Sequence, residues 1–262
     1  MAKCKVAAMV SIYNSGEWIE NRINNLLDST IVDDMEIFCV NANSPDERDD
    51  KIPKQFGNKI KYIKLDKTIS VYATWNLIIK EANSVYLTNA NTDDIVAPNC
   101  YEKLSSILDG CQKDRDDPRK FVYPSWLTTA TANQVWPPTQ GVDKDGGCPG
   151  NYGGDIGRAG VGHFPMWCAH LHDKLGLFDE DFHAMADADW WARCYHVGNV
   201  RFHWTNEFLC CYLWRNGDNL WHRAINDSEW GLYFKKFSEY CSIAAANNPE
   251  KAKKTPLTRK VD

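Results

Sequence analysis

The sequence predicts an α/β fold with a mostly parallel central sheet, flanking helices and a C-terminal helical extension. Over residues 1–110, strand-like and helix-like segments follow in the order strand, helix, strand, strand, helix, strand, which is typical of a doubly wound, Rossmann-like sheet. Oxygen-rich side chains follow the fourth strand-like run at once, as at the carboxyl edge of an open sheet. At 262 residues and 44% hydrophobic composition, the chain can build one large domain with a sizeable core.

Four short runs in the first half are predicted strands, because they are apolar or alternating and end in turn residues. They are residues 6–12, 35–40, 60–65 and 84–88. Helical spacing of apolar side chains predicts helices after the first and third runs, and Asn14 with Glu17 resembles a capping box for the first helix. Pro98 suits the first turn of a further helix, which Gly110 can end.

The second half begins after a charged run, residues 112–120, that we expect to be a solvated loop between the halves. Residues 141–162 are rich in glycine, which favours a mobile loop at a functional site. A helix is predicted to start at Asp187, and two strands should follow it. Asn226 and Glu229 are placed to box the start of a last amphipathic helix, which precedes a polar, basic tail.

Composition excludes several classes of protein. A net charge of −5 and a pI of about 5.8 argue against a general nucleic-acid coat protein, which needs a basic surface. The ten cysteines form no C-x-x-C pair and several lie in apolar runs, so we expect reduced, mostly buried thiols in a cytoplasmic protein. The N-terminus has no long apolar signal core, and no membrane span is expected. The lack of a GxGxxG motif and of a P-loop disfavours dehydrogenases and P-loop NTPases.

The segment Asn89-Ala90-Asn91-Thr92-Asp93-Asp94 is the strongest indication of chemistry in the chain. Adjacent carboxylates at the mouth of a strand are costly without a cation to offset them. Oxygen ligands in this position suit Mg²⁺ or Mn²⁺ that carries phosphates, which predicts a site for a nucleotide diphosphate. The alternative is a simple turn whose Asp residues cap the helix near Pro98.

Four segments together resemble family 2 glycosyltransferases of the GT-A fold. They are residues 10–14, 40–44, 91–94 and 187–193, in the family's order and spacing. The resemblance covers roughly residues 5–220. It implies a nucleotide-sugar donor, most simply a UDP-sugar, a divalent metal ion and inversion at the anomeric carbon. It also implies three parts: a nucleotide-sugar-binding half (1–110), an acceptor-binding and catalytic half (111–222) and a C-terminal helix with a basic tail (223–262).

The resemblance assigns donor binding to the ends of the first two strands, to the acidic turn and to a later segment that closes over the donor. The implied residues are Ser11, Tyr13, Asn41, Asn43, Asn76, Asn91, Asp93 and Arg215. The family usually shows Asp-Asp-Gly-Ser at the second strand, where this chain has Asn41-Ala42-Asn43-Ser44. An amide can still accept from and donate to a base edge or a ribose hydroxyl.

The family's D-x-D triplet aligns with Asn91-Thr92-Asp93, so its first acid is an amide here. The resemblance makes Asp93 the ligand for Mn²⁺ or Mg²⁺, with Asp94 and His222 as further possible ligands. Asp94 has the alternative of capping the next helix. Loss of one negative charge should weaken metal affinity until the donor diphosphate arrives.

Asp187 aligns with the family's catalytic base, which removes the proton of the acceptor hydroxyl as its oxygen attacks the sugar. The alternative is structural, because Asp187 also suits the N-cap of its helix and Asp189 the first turn. Asp189 is the second choice for the base. His163, Trp167 and Trp191 are the expected acceptor contacts, although an aromatic pair such as Trp190 and Trp191 can equally belong to the core.

The acceptor is expected to be a glycan or another hydroxyl compound, such as a lipid-linked saccharide. A hydroxylated base in DNA stays open as an acceptor, because the basic tail 249–262 offers local phosphate contacts. A non-catalytic nucleotide-sugar binder of the same fold is the main rival, since fold alone does not establish catalysis. A nucleotidyltransferase is disfavoured, because Tyr13-Asn14-Ser15-Gly16 is not a Lys-rich triphosphate loop.

Overall fold

A nine-stranded sheet runs through the described part of the chain, which in this computed structural model comprises residues 3–112, 118–143, 161–215 and 227–247. The strands are β1 Cys4–Ile12, β2 Met35–Asn41, β3 Lys61–Lys64, β4 Ser84–Asn89, β5 Ile95–Val96, β6 Arg119–Thr129, β7 Val142–Asp143, β8 Met166–Cys168 and β9 Arg201–Leu213. The helices described are α1 Ile19–Leu27, α2 Arg48–Gln55, α3 Val71–Glu81, α4 Cys100–Gln112, α5 Leu171–Leu175, α6 Ala186–His196 and α7 Asp227–Asn247.

The first half of the sheet is parallel, with the order β3-β2-β1-β4. The continuous apolar run of β1 explains its central place, because the side chains of residues 6–10 are all fully buried and a strand covered on both faces needs no polar alternation. All four strands predicted for this half are present. The predicted α/β class with a mostly parallel sheet is therefore confirmed.

The second half joins the same sheet. β8 is inserted antiparallel between β4 and β6, and β6 runs parallel to β9. β5 belongs to the first half of the chain but pairs with β9, so the segment after β4 is fastened to the strand that precedes Arg215. The halves thus share one sheet, and the boundary between residues 110 and 111 stays a prediction.

One predicted cap differs from the structure, and a second lies partly outside the described residues. α1 begins at Ile19 with no side-chain bond at its cap, and the Asn14 backbone N–H is bound by Ser44 Oγ at 3.0 Å, so the capping box is wrong. Glu229 accepts hydrogen bonds from residues 183–185 before α6, whereas Asn226 lies outside the described residues. Most of the glycine-rich segment and the basic tail also lie outside them.

The sequence led us to expect reduced, mostly buried thiols and no membrane-spanning helix. The nine cysteines of the described ranges are free thiols, and seven of them are buried. Among the same residues, no helix combines the length and the apolar character needed to cross a membrane. Localisation in the cytoplasm stays a prediction.

Candidate functional site

The turn after β4 places two carboxylates at the carboxyl edge of the sheet. Asp94 is buried; its Oδ1 accepts the backbone N–H of Leu213 at 3.1 Å, and its Oδ2 accepts Asn91 Nδ2 at 3.1 Å. Burial, followed by the charge of Asp93, raises the pKa of Asp94 well above its usual range. Asp94 therefore ties the turn to the end of β9, and its oxygens are committed to this role.

Asp93 lies beside Asp94 but faces a cation. Its Oδ2 is 3.1 Å from Arg215 Nη2, and only 12% of the Asp93 side chain is exposed. Burial raises the pKa of Asp93, and the nearby Arg215 guanidinium opposes this shift. The same guanidinium lies over the Trp18 ring, 4.9 Å from its centroid. The structure thus brings Asp93 and Arg215, which are far apart in sequence, into direct contact.

The loop after β1 forms the neighbouring wall. Thr92 Oγ1 donates to Ser15 Oγ at 3.1 Å, and the Ser15 backbone N–H is bound by the buried Asp49 carboxylate at 2.9 Å. Tyr13 is 46% exposed on this loop, and Ser11 is half-buried at the end of β1. These positions leave both side chains available to a ligand at this edge.

The two asparagines of the second strand's end differ. Asn43 is exposed and has a positive φ of 57°. Asn41 is fully buried; its Nδ2 donates to the Asp49 carbonyl and its Oδ1 accepts the Ser44 N–H. The geometry therefore makes Asn41 a support of the loop and disfavours its predicted contact with the donor.

Asn76 is likewise committed to the fold. It is buried in α3, where its Nδ2 donates to the Phe178 carbonyl and to Glu180 Oε1, both at 2.8 Å. Its Oδ1 accepts the Phe178 N–H at 2.9 Å. Each polar atom of the amide is used to hold the segment before α6 against α3. The predicted contact between Asn76 and the donor is not supported, because a saturated buried amide has no atom to offer.

Asp187 lies in the first turn of α6, one residue beyond Ala186, and the cap position is Met185. Its Oδ1 accepts the Tyr72 hydroxyl at 3.2 Å and the Ala188 N–H at 2.8 Å. The carboxylate keeps partial exposure although protein atoms surround it closely. Burial raises its pKa to about 6, while the two hydrogen bonds act in the opposite direction.

Asp189 points away from solvent. It is 0% exposed, its Oδ2 is 2.8 Å from Arg193 Nη2, and its Oδ1 accepts the Tyr240 hydroxyl at 2.8 Å. This carboxylate therefore joins α6 to α7. Its predicted role as an alternative base is disfavoured, because a sealed and fully bonded carboxylate cannot reach an acceptor hydroxyl.

Replacing Asp189 with Asn should lower the free energy of unfolding by about 3 kcal/mol, because the buried end of the ion pair with Arg193 is removed. Urea unfolding at pH 7 measures the change. Asp173→Asn, an exposed carboxylate on α5, is the control and should change stability little. A loss for Asp189→Asn no larger than for the control would contradict this structural role.

The three predicted acceptor contacts are placed differently. Trp167 is 1% exposed and donates to His172 Nε2, and Trp191 is packed edge-on to Phe121 in the core. Neither indole offers a free face to a sugar, so burial disfavours both predicted contacts. His163 is half-buried, and its ring stacks on Tyr212 with centroids 3.9 Å apart.

An aromatic shelf, defined as His163, Tyr212 and Trp214, follows the carboxylate turn. Burial, followed by the charges of the nearby Asp94 and Asp93, raises the pKa of Tyr212. Trp214 is 41% exposed, and its ring centroid is 6.5 Å from that of Tyr212. Burial lowers the pKa of His163 to about 4, so the imidazole is neutral at pH 7. The shelf is an apolar surface beside the acidic turn.

The oxygen atoms at the acidic turn fit the coordination of a hard divalent cation only in part. Asp93 supplies a carboxylate oxygen, and the buried Asn89 Oδ1 has no hydrogen-bond partner in the part of the chain described. Asp94 is occupied by Leu213 and Asn91 and is a poor direct ligand as placed. His222 lies outside the described residues, within which no group of three His, Cys, Asp or Glu side chains forms a metal cluster.

Sequence reasoning missed Tyr72, Trp18 and Glu229 as parts of this site. Tyr72 and Trp18 were assigned to no role, since each belongs to a helical segment of apolar character. Their contacts with Asp187 and Arg215 cross the fold and leave no local signal. Glu229 had a signal, its spacing from Asn226, but that spacing pointed to the last helix and gave no sign of the contact with the segment before α6.

Comparison with known proteins shows which protein family a segment of this chain resembles. Residues 8–129 match the family described as Glycosyl transferase family 2. The matched segment is a little less than half of the chain, and over it the chain is similar to this family. The match includes the loop after β1, the acidic turn and all of β6. Asp187 and Arg215 lie beyond it.

Two curated relatives are uncharacterized glycosyltransferases of Rickettsia. The Rickettsia prowazekii protein is 24% identical over 211 residues, which are 75% of this chain and 60% of that protein. The Rickettsia conorii protein is 22% identical over 210 residues, 75% of this chain and 32% of that protein. The chain thus spans less than two thirds of the length of either relative.

Solved structures confirm the predicted GT-A fold. S. aureus TarS 1–349 in complex with UDP-GlcNAc has a TM-score of 0.70 and 14% identity, covering 90% of this chain and 66% of that one. The mannosyltransferase PcManGT from Pyrobaculum calidifontis, in complex with GDP-Man and Mn²⁺, has a TM-score of 0.63 and 14% identity, covering 98% of this chain and 77% of that one. The TM-scores show a shared fold, and at identities this low the likeness shows the fold alone.

Proposed function

We propose that the protein is an inverting, metal-dependent glycosyltransferase that moves a sugar from a nucleotide-diphosphate donor, most simply a UDP-sugar, to a hydroxyl of a glycan. The observation that carries the proposal is the state of Asp187, a partly exposed carboxylate held by Tyr72 with a pKa of about 6. A general base works best when its pKa lies near the working pH while most of it is ionised. The similarity of residues 8–129 to glycosyl transferase family 2 and the nucleotide-sugar complexes of structural neighbours support the donor class.

In the proposed reaction Asp187 accepts the proton of the acceptor hydroxyl. The acceptor oxygen forms a bond to the anomeric carbon from the face opposite the diphosphate, and the bond from that carbon to the diphosphate oxygen breaks. The electron pair of the broken bond leaves with the nucleotide diphosphate, and the configuration inverts. The Tyr72 hydroxyl donates to Asp187 Oδ1 and holds the carboxylate in place, leaving Oδ2 for the acceptor.

The departing diphosphate needs positive charge. Arg215 lies at the acidic turn and can pair with phosphate oxygens bidentately. A bound Mn²⁺ or Mg²⁺, held by Asp93, would supply electrostatic stabilisation of the leaving group. The positive charge beside Asp93 is at present that of Arg215, so donor binding would require Arg215 to share or exchange this partner.

The acceptor side is assigned to the aromatic shelf. Sugar rings present apolar C–H faces that pack on aromatic rings, and Trp214 and Tyr212 offer such faces beside the turn. This favours a saccharide over a small alcohol as the acceptor. The hydroxylated base in DNA that the sequence left open as an acceptor has no support from the structural neighbours TarS and PcManGT.

The test is a donor panel. The purified chain is incubated with UDP- and GDP-sugars, oligosaccharide acceptors and either Mn²⁺ or Mg²⁺, and nucleotide release and product are measured. We expect metal-dependent transfer from one donor class, with the product in the inverted configuration by NMR. Donor binding by calorimetry without release from any donor would favour the rival interpretation as a non-catalytic binder. Retention of configuration would contradict the direct role of Asp187.

A further inference from the structure

One carboxylate of the C-terminal helix α7 lies against the chain just before α6. Glu229 is 5% exposed, so its head group is sealed from solvent. Its Oε1 accepts hydrogen bonds from three successive backbone N–H groups, those of His183 at 3.1 Å, Ala184 at 2.6 Å and Met185 at 2.9 Å. Successive N–H groups that converge on one oxygen form an anion-binding nest. Here the anion is supplied by the chain itself.

The nest adjoins the proposed base. Met185 occupies the cap position of α6 and makes no side-chain capping bond, and its own backbone N–H is bound by Glu229 Oε1. Asp187 follows two residues later. The direction of its carboxylate therefore depends on how the first turn of α6 is held. Within the described part of the chain, the backbone N–H groups of residues 183–185 are held by Glu229 of α7.

We propose that Glu229 is a positioning residue for transfer, holding the first turn of α6 so that Asp187 faces the acceptor. This inference rests on the proposed function. It makes α7, which lies beyond the four segments that carry the family resemblance, a working part of the active site. The carboxylate reaches the reaction through the backbone of residues 183–185 and touches no reacting atom itself.

The negative charge of Glu229 also affects the pKa of Asp187. The groups that face Asp187 are the Tyr72 hydroxyl from α3, the Ala188 N–H from α6 and the charge of Glu229 from α7. Burial is the main cause of the raised pKa of Asp187, and the negative charge of Glu229 raises it further. The ionisation of Asp187 therefore depends on the charge of Glu229 as well as on burial.

The experiment uses two substitutions of Glu229 and a matched control in the full-length chain. Glu229→Gln keeps an acceptor oxygen but removes the charge, whereas Glu229→Ala removes both. Glu239→Gln removes an exposed charge from the same helix. For each variant kcat, the KM for the donor and the pH profile of kcat are measured, and thermal unfolding checks that the variant is folded.

We expect Glu229→Gln to move the acidic limb of the pH profile to lower pH, because the charge that opposes ionisation of Asp187 is gone. Glu229→Ala should lower kcat by about 10²-fold, the effect of a base displaced by about 1 Å, with little change in donor KM. Glu239→Gln should behave as wild type. A loss of thermal stability in the Glu229 variants with unchanged kcat and pH profile would overturn the proposal.

A readout without turnover separates this proposal from the proposed function. The ¹³C carboxyl resonance of Asp187, assigned by its loss in Asp187→Asn, is titrated in wild type and in Glu229→Gln. A lower Asp187 pKa in the variant supports the coupling even if no donor is ever transferred. An unchanged Asp187 pKa overturns it, whatever the activity of the wild-type protein.

Discussion

Asp187→Asn should lower kcat for sugar transfer by about 10³-fold and leave the Kd for the donor nucleotide almost unchanged. The amide keeps the shape of the side chain and can still accept the Tyr72 hydroxyl, but it cannot take up the acceptor proton. The expected loss therefore falls on the chemical step. Single-turnover transfer measures kcat, and calorimetry with nucleotide and Mn²⁺ measures Kd.

The control for this substitution is Asp181→Asn, which removes an exposed carboxylate from the segment before α6. It should keep wild-type activity. In wild type, kcat should fall about tenfold per pH unit below about pH 6, because protonated Asp187 cannot act as a base, and should reach a plateau above it. Full turnover by Asp187→Asn, or a flat pH profile down to pH 4, would remove Asp187 from the mechanism.

Asp93→Asn should weaken metal-dependent binding of the donor nucleotide by about 10²-fold. The substitution removes the carboxylate that would hold the cation and leaves the Arg215 guanidinium without its partner Asp93. Because Asp94 is bound to Leu213 and Asn91, it cannot readily replace Asp93. Calorimetry with UDP in the presence of Mn²⁺ gives the affinity, and a chelator added to wild type should reproduce most of the loss.

Asp66→Asn removes an exposed carboxylate after β3 and is the matched control for the charge change. It should bind nucleotide as wild type does. If Asp93→Asn binds nucleotide and Mn²⁺ with wild-type affinity, the cation is held elsewhere in the chain. Loss of binding can also be distinguished from loss of stability. Asp93 keeps solvent contact, so its substitution should lower the free energy of unfolding less than substitution of the buried Asp189.

Local periodicity was enough to predict the architecture. Three short-range features were used: the apolar run of β1, the helical spacing after it and the oxygen-rich turn after β4. Each pattern reflects which of its residues are buried in the folded sheet and which are exposed. The antiparallel insertion of β8 was not predicted, since three residues carry no usable period. The pairing of β5 with β9 was missed for the same reason.

Within the site, the chain order of motifs was sufficient to nominate Asp93, Arg215 and Asp187, while the partners of each came from the fold. Asp187 and Asp189 are two residues apart and were nearly equivalent as sequence, yet one is partly exposed and the other is sealed beneath α7. Asn41 and Asn76 have the chemistry of ligand contacts, but their amides are used up by backbone groups.

The residue pattern of this chain was sufficient to predict an α/β sheet with an acidic turn at its carboxyl edge. Burial patterns and turn residues are local features, which residues close together in the sequence determine. The assignment of polar groups to function or to support required the folded molecule. Tyr72 reaches Asp187 across 115 residues and Glu229 reaches Met185 across 44. Hydrogen bonds of such long range depend on how helices pack, and packing leaves no periodic trace in a sequence.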